Sequence, residues 1–137
     1  MAIVQLWKNY NKETPSWQEI LENFEESETK GESIKANGAG FIVSHSAYRI
    51  PAVREVLKSL KLKEAHTYIN LTSKGATFGR HSDPVDVWFW QVQGSTKWEF
   101  DDDECTLEAG DLLFVPKGEY HNVIPLSPRC GISMSVE

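Results

Sequence analysis

Short segments of alternating apolar and polar residues fill the second half of this chain and limit its fold more than any other feature. Alternation places successive side chains on opposite faces, which is typical of strands with one buried face. Turn residues such as Ser73-Lys74-Gly75, Gln93-Gly94-Ser95 and Asp101-Asp102-Asp103 separate the segments. Many short strands at close spacing predict a mainly β fold, an antiparallel sandwich or barrel. The predicted strands lie in 67–71, 85–92, 96–100, 105–107, 112–115 and 120–124.

The first half of the chain has helical spacing instead. Ser16 and Glu19 stand at capping-box positions before an apolar stripe that begins at Trp17. Ile50-Pro51 opens a second predicted helix that continues to about Leu60. We expect a loop from Glu25 to Gly40, a short strand at 41–43, and one domain over residues 1–137. Its helical N-terminal part would cover about 1–64 and its barrel core about 65–137.

Charge and cysteine content narrow the functional classes. The formal net charge of −6 and the pI near 5.2 argue against nucleic acid as a partner, because no basic face would replace the counterions of phosphates. No apolar run approaches the roughly 20 residues that span a bilayer, so no membrane segment is predicted. Cys105 and Cys130 are isolated and no signal peptide is evident, so we expect a cytoplasmic protein with free thiols.

Three residues of the predicted β region are candidate metal ligands. His81 and Asp83 are two positions apart, which places both side chains on one face of a strand, and His121 follows in a later strand. Two imidazoles and one carboxylate, with further coordination positions open, form the facial triad of non-haem Fe(II) oxygenases. The other two histidines, His45 and His66, are expected to have packing or surface roles.

Two motifs around these residues resemble a known family. Gly110 to His121, with Pro116 and Gly118 between them, resembles the second cupin motif, and Thr77 to Trp98 resembles the JmjC-type Fe(II)/2-oxoglutarate-dependent hydroxylases. The ribosomal-protein and asparaginyl hydroxylases are the most similar members. The resemblance runs from about Tyr68 to Ser135. It implies the double-stranded β-helix, or jelly-roll barrel, of the cupin superfamily, with two N-terminal helices.

The resemblance also implies a ligand set and a cosubstrate. His81, Asp83 and His121 fall on the family's metal ligands and catalytic residues, with Fe(II) as the metal. The position at which the family has a lysine for 2-oxoglutarate is Thr96, and Lys97 comes one residue later. Alternation places Lys97 on the opposite face from Thr96, so a bulge would be needed to turn it inward.

Other candidates for binding the cosubstrate stand elsewhere in the sequence. Other 2-oxoglutarate enzymes use an arginine about ten residues after the distal histidine, and here Arg129 follows His121 by eight. Side chains that can hydrogen-bond an acid are those of Tyr68, Asn70, Thr77 and Thr96.

Three functions therefore remain open. The first is an Fe(II)/2-oxoglutarate-dependent hydroxylase of a peptide or small molecule. The second is a small metal-binding cupin, a dioxygenase or isomerase, that does not use 2-oxoglutarate. The third is a non-catalytic cupin binding module. Because cupin-fold proteins often dimerise, we expect a homodimer.

Overall fold

Two antiparallel sheets and two helices make up the described part of the chain, which in this computed structural model is residues 4–35, 40–74 and 77–137. Only the backbone is described for 33–35. The helices are α1 (Trp17–Thr29) and α2 (Pro51–Leu60), and a short 3-10 helix covers Ala47–Arg49. The strands are β1 (Gln5–Trp7), β2 (Ser33–Lys35), β3 (Phe41–Ser44), β4 (Glu64–Asn70), β5 (Val87–Gln93), β6 (Ser95–Phe100), β7 (Glu104–Glu108), β8 (Leu112–Val115), β9 (His121–Pro125) and β10 (Arg129–Ser135).

The larger sheet has the strand order β1-β8-β5-β10-β4-β3-β2, and the smaller has β7-β6-β9. All pairs of neighbouring strands in both sheets are antiparallel. β10 lies between β5 and β4 and pairs with both along most of its length. The predicted mainly β fold with two helices in the N-terminal region is confirmed.

Both helices begin where the sequence predicts. The Ser16 side chain accepts a hydrogen bond from the backbone N–H of Glu19, and the Glu19 carboxylate accepts one from the N–H of Ser16, which completes the predicted capping box. Pro51 is the first residue of α2. The loop predicted from Glu25 to Gly40 is wrong in two places: residues 25–29 belong to α1 and residues 33–35 form β2.

The large sheet separates two apolar clusters. Its outer face packs against the helices, and Trp90, Val92, Ile132 and Met134 are fully buried there. Its inner face meets the small sheet around Phe89, Trp98 and neighbouring aliphatic side chains. The candidate site lies at the inner cluster, and the outer cluster supports the sheet from behind.

The sequence does not predict every element of the structure. β1 and β10 were not predicted as strands, although β10 is central to the sheet. Residues 36–39 of the predicted loop and Gly75 of a predicted turn lie outside the described residues. In the described part of the chain, no helix combines the length and hydropathy that crossing a bilayer requires.

Candidate metal centre

His81 and His121 are fixed opposite each other by backbone hydrogen bonds. The N–H of His81 donates to the carbonyl of His121 at 2.9 Å, and the N–H of His121 donates back at 2.8 Å. Residues paired in this way across antiparallel strands project their side chains to the same face. This pair is an isolated β-bridge, because His81 lies outside the strands. The two imidazoles, with ring centroids 4.5 Å apart, therefore owe their proximity to the backbone.

Asp83 is held beside them by contacts between two loops. The N–H of Gly118 donates to the carbonyl of Asp83 at 2.9 Å, and the N–H of Lys117 donates to the Asp86 carboxylate at 2.8 Å. Gly118 has φ of +81°, a conformation that glycine adopts without a steric penalty. Asp86, which is exposed, thus joins the loop that carries Asp83 to the turn that precedes His121.

The three side chains converge with their metal-binding atoms towards one point. His121 Nε2 lies 3.4 Å from one carboxylate oxygen of Asp83, and His81 Nε2 lies 3.7 Å from the other. The ligand atoms of all three residues lie within 4.8 Å of one another. This geometry suits a metal ion held by two nitrogens and one oxygen.

Hydrogen bonds at the other ring nitrogens prepare both histidines for this role. Nδ1 of His81 lies 2.8 Å from the carbonyl of Gly79, and Nδ1 of His121 lies 2.9 Å from the carbonyl of Glu119. A carbonyl only accepts, so each Nδ1 is the protonated nitrogen and Nε2 keeps its lone pair for a metal. Burial lowers the pKa of His121 although the Glu119 carbonyl and Asp83 oppose the effect, which favours the neutral ring that a ligand requires.

A small cavity adjoins these ligands. Its volume is about 30 Å³, room for roughly one water molecule. Phe78 is 43% exposed and contributes to the wall, with its ring edge-on to those of Phe41, Tyr68 and His81. Trp98 stacks on His121 with ring centroids 5.3 Å apart. The remaining lining residues are Thr77, Gly79, Asp83, Phe89, Val123, Arg129 and Ser133.

Arg129 is the residue of this cavity that sequence reasoning undervalued. It is 1% exposed, and its Nε donates to Asn70 Oδ1 at 2.8 Å. Its Nη1 is buried with no hydrogen-bond partner, and among the described residues no carboxylate lies within ion-pair distance. Burial lowers the pKa of Arg129 to about 10, so the guanidinium stays charged at neutral pH.

The other predicted cosubstrate residues fall into two groups. Tyr68 and Thr77 line the cavity, and Asn70 contacts Arg129. Burial, followed by the Asp83 charge, raises the pKa of Tyr68, which also has a hydrogen bond with Ser133. Tyr68 is therefore a neutral phenol at the cavity wall at neutral pH.

Thr96 and Lys97 are not brought into the cavity. The Thr96 hydroxyl donates to Gln91 Oε1 at 3.0 Å and accepts from Trp98 Nε1 at 3.1 Å. Lys97 lies on the opposite face of β6, where its Nζ is 3.0 Å from Glu104 and 3.6 Å from Glu99. No bulge interrupts the pairing of β6 with β7 or β9, so alternation keeps Lys97 outside.

Comparisons with solved structures show the fold. The ribosomal oxygenase YcfD from Escherichia coli, solved with cobalt and 2-oxoglutarate, has 15% identity and a TM-score of 0.75 over 96% of this chain. The match covers 47% of that protein, so this chain spans about half its length. A cupin superfamily protein from Desulfitobacterium hafniense has 16% identity and a TM-score of 0.57, with 93% of this chain and 94% of that chain covered.

An oxalate decarboxylase structure also matches, with 17% identity, a TM-score of 0.54, and 76% of this chain and 28% of that chain covered. No curated protein has a significant sequence match to this chain. Residues 67–129 match the family model of the cupin domain. The predicted cupin architecture is confirmed: the chain has the mainly β cupin fold, with two antiparallel sheets and two helices in its N-terminal region.

Proposed function

We propose that this protein is an Fe(II)-dependent oxygenase that uses 2-oxoglutarate as cosubstrate. The observation that carries the proposal is that one cavity is lined both by the three candidate metal ligands and by Arg129, whose buried Nη1 has no hydrogen-bond partner. The first feature provides for a metal ion and the second for a carboxylate, and 2-oxoglutarate needs both.

The donor set fits Fe(II). His81 and His121 supply neutral imidazole nitrogens and Asp83 supplies a carboxylate oxygen, the combination typical of non-haem Fe(II) oxygenases. In the described part of the chain, no fourth histidine, cysteine or carboxylate joins the group. Three protein ligands leave coordination positions for exogenous ligands, as catalysis at a metal requires. Bound Fe(II) would supply the activation of O2 coupled to decarboxylation of 2-oxoglutarate.

Arg129 fits the distal carboxylate of that cosubstrate. A guanidinium binds a carboxylate through parallel N–H donors, and such a pair is stronger when water is excluded. A buried charge without a partner is costly, because the desolvation of the ion is not offset by an attraction. An anionic ligand in the cavity would give Nη1 the partner that it lacks in the chain.

The neighbouring side chains complete a binding site for a small dicarboxylate. Asn70 accepts from Arg129 Nε and so fixes the orientation of the guanidinium. Tyr68 and Ser133 provide hydroxyl groups at the wall. Phe41, Phe89 and Trp98 provide apolar walls that limit the access of water to the reacting centre.

The comparison with YcfD supports the same assignment, since that protein has been solved with 2-oxoglutarate on a comparable fold. We propose a peptide or a small molecule as the substrate to be hydroxylated, acted on in the cytoplasm by a homodimer.

A metal-dependent cupin that acts on a small carboxylic acid without 2-oxoglutarate is the second candidate. The cavity volume of about 30 Å³ would have to increase less for an acid smaller than 2-oxoglutarate, which favours such a ligand. The guanidinium of Arg129 would bind the carboxylate of such an acid equally well. The match to an oxalate decarboxylase shows that the fold also occurs in an enzyme of that kind.

An anaerobic titration separates the two candidates. The protein is loaded with Fe(II), and 2-oxoglutarate is added while the visible metal-to-ligand charge-transfer band is recorded. Arg129→Met should weaken 2-oxoglutarate binding at least roughly thirtyfold, because a buried charge pair loses one partner. Lys97→Met is the matched control, since Lys97 is the other lysine or arginine proposed for this role and lies outside the cavity; its affinity should be unchanged.

Uncoupled turnover provides a second readout. Succinate formation from 2-oxoglutarate in the presence of Fe(II) and O2 should occur in the wild type and in Lys97→Met and fall in Arg129→Met. Tight Fe(II) binding with neither the band nor succinate would reject the proposal and favour the second candidate. If Lys97→Met rather than Arg129→Met lost the band, the assignment of Arg129 would be wrong.

A further inference from the structure

The four histidines of the chain form two pairs, and only one pair belongs to the candidate metal centre. In the other pair, Nδ1 of His45 lies 2.8 Å from Nδ1 of His66. Their rings are edge to face, with centroids 4.8 Å apart and an angle of 83° between the planes.

Backbone pairing explains why these two residues meet. His45 directly follows β3, and His66 lies in β4, the strand with which β3 pairs. The last pair of that ladder joins Ser44 to Thr67, so His45 continues it opposite His66. His45 is exposed and His66 is half-buried, which leaves the pair accessible from solvent.

The atoms in contact are ones that bind metals. Each neutral imidazole has one protonated nitrogen, so a single N–H is placed between the two Nδ1 atoms. A shift of that ring to its other tautomer frees both lone pairs without any change in net charge. Burial, followed by the proximity of His45, lowers the pKa of His66, so protons compete little with a cation at neutral pH.

We propose that His45 and His66 form a second metal site, which chelates a divalent transition metal through both Nδ1 atoms. The separation of 2.8 Å and a metal–nitrogen distance of roughly 2.05 Å give a nitrogen–metal–nitrogen angle of about 86°. This angle is close to that of square-planar or octahedral coordination and well below the tetrahedral angle that zinc prefers. The site therefore favours Cu(II) or Ni(II).

Carboxylates near the pair add a field that favours a cation. Glu64 lies two residues before His66 on the same face of β4, and its charge acts on the His66 ring. Glu32 interacts electrostatically with His45, although Arg49 is its main partner at 2.7 Å. Water would complete the coordination, because the described residues place no third donor within the pair.

Copper stoichiometry tests the proposal without reference to any activity. The apoprotein is titrated with Cu(II) near neutral pH by calorimetry, in the wild type, in a His81→Ala/Asp83→Ala variant and in a His45→Gln/His66→Gln variant. We expect two sites in the wild type and one in each variant. The single substitution His66→Gln should weaken the second site at least roughly tenfold, since one of its two imidazoles is lost.

Electron paramagnetic resonance of the His81→Ala/Asp83→Ala variant provides the independent readout. Bound Cu(II) should show coupling to two nitrogens, which His45→Gln removes. The substituted residues are all at least partly exposed, namely His45, His66, His81 and Asp83. Circular dichroism checks that each variant is folded. An unchanged stoichiometry in His45→Gln/His66→Gln, or no two-nitrogen signal in the triad variant, would show that the pair only shares a proton and would overturn the proposal.

Of the residues substituted in these copper experiments, only His81 and Asp83 belong to the site of the proposed function. Loss of the His45–His66 site would leave the triad and Arg129 as they are, and failure of 2-oxoglutarate binding would leave the histidine pair intact.

Discussion

The charge of Arg129 lies in the protein interior, where charged side chains are rare unless they are paired. Its guanidinium is fully buried, and its Nη1 has no partner. Replacement of a buried ion pair by apolar side chains of similar volume is often neutral or stabilising by about 1–4 kcal/mol, and a buried charge without an ionic partner lacks even the attraction that such a pair provides. The cost of this buried charge supports the proposal that Arg129 binds an anionic ligand.

This explanation predicts opposite effects of one substitution on stability and binding. Arg129→Met should leave the free energy of unfolding of the ligand-free protein equal to that of the wild type or raise it by about 1–4 kcal/mol, because a desolvated charge is removed. Urea unfolding without ligand measures this. A loss of more than about 2 kcal/mol would mean that the hydrogen bond to Asn70 makes Arg129 a structural residue.

Asp111 shows the contrasting case of a buried charge with its partners. Burial alone would raise its pKa, but Lys8 and the N–H groups of Asn9 and Glu108 outweigh that effect and lower it. Because the folded-state pKa is below the unfolded one, the carboxylate stabilises the fold above the unfolded pKa. That contribution is lost as the pH falls towards the folded pKa.

Asp111→Asn should therefore destabilise the protein by about 2–3 kcal/mol at pH 7, since charge-assisted hydrogen bonds are replaced by weaker ones. The difference from the wild type should shrink below about pH 4, where the Asp111 carboxylate of the unfolded chain begins to take up a proton and favours unfolding. Denaturant unfolding at several pH values measures both effects. Asp102→Asn, at an exposed turn, is the control and should change little.

At the scale of elements, β10 depends on a residue without a side chain. A Cβ at Gly131 would lie 1.9 Å from Cζ of Phe89 and 2.1 Å from its Cε1. Gly131 does not have a positive φ, so the constraint is steric and comes from the neighbouring strand. Phe89 also lines the cavity, which links the packing of the sheet to the site.

Gly131→Ala should destabilise the protein by about 2 kcal/mol or more, because the ring must move within a packed core. Phe89→Leu should restore part of this loss in the double variant, since the clashing atoms are absent. Thermal unfolding of the four proteins of this cycle gives the coupling energy. Additive effects would show that the strain is relieved elsewhere.

Particular residues show how far the sequence predicts this molecule. The grouping of the three candidate ligands could be predicted because the spacing of His81 and Asp83 and the motif before His121 are local patterns. The position of Lys97 outside the cavity followed from alternation. β10 was missed because Ser127-Pro128 and Gly131 are residues typical of turns, and the need for glycine arises only from Phe89. For Arg129 the sequence shows only its spacing from His121, whereas the burial of its side chain and the missing partner of Nη1 depend on tertiary packing.

For the whole molecule, the separation of the two apolar clusters predicts that folding does not require metal. The outer cluster, between the large sheet and the helices, contains none of the candidate ligands. Chelation should leave the far-ultraviolet circular dichroism unchanged. It should lower the free energy of unfolding by about 2.7 kcal/mol relative to protein with metal at a hundredfold excess over Kd. Unfolding on chelation, as in zinc fingers, would contradict this.

The narrow cavity beside the candidate metal ligands has a kinetic consequence. Phe78 rests on Phe41, Tyr68 and His81, and the volume of about 30 Å³ is too small for an organic acid. We therefore expect an organic acid to bind there only after the cavity wall, of which the Phe78 ring is a part, has moved. The observed rate of association should then reach a plateau as the ligand concentration rises, because opening of the protein, rather than diffusional encounter, becomes the slow step.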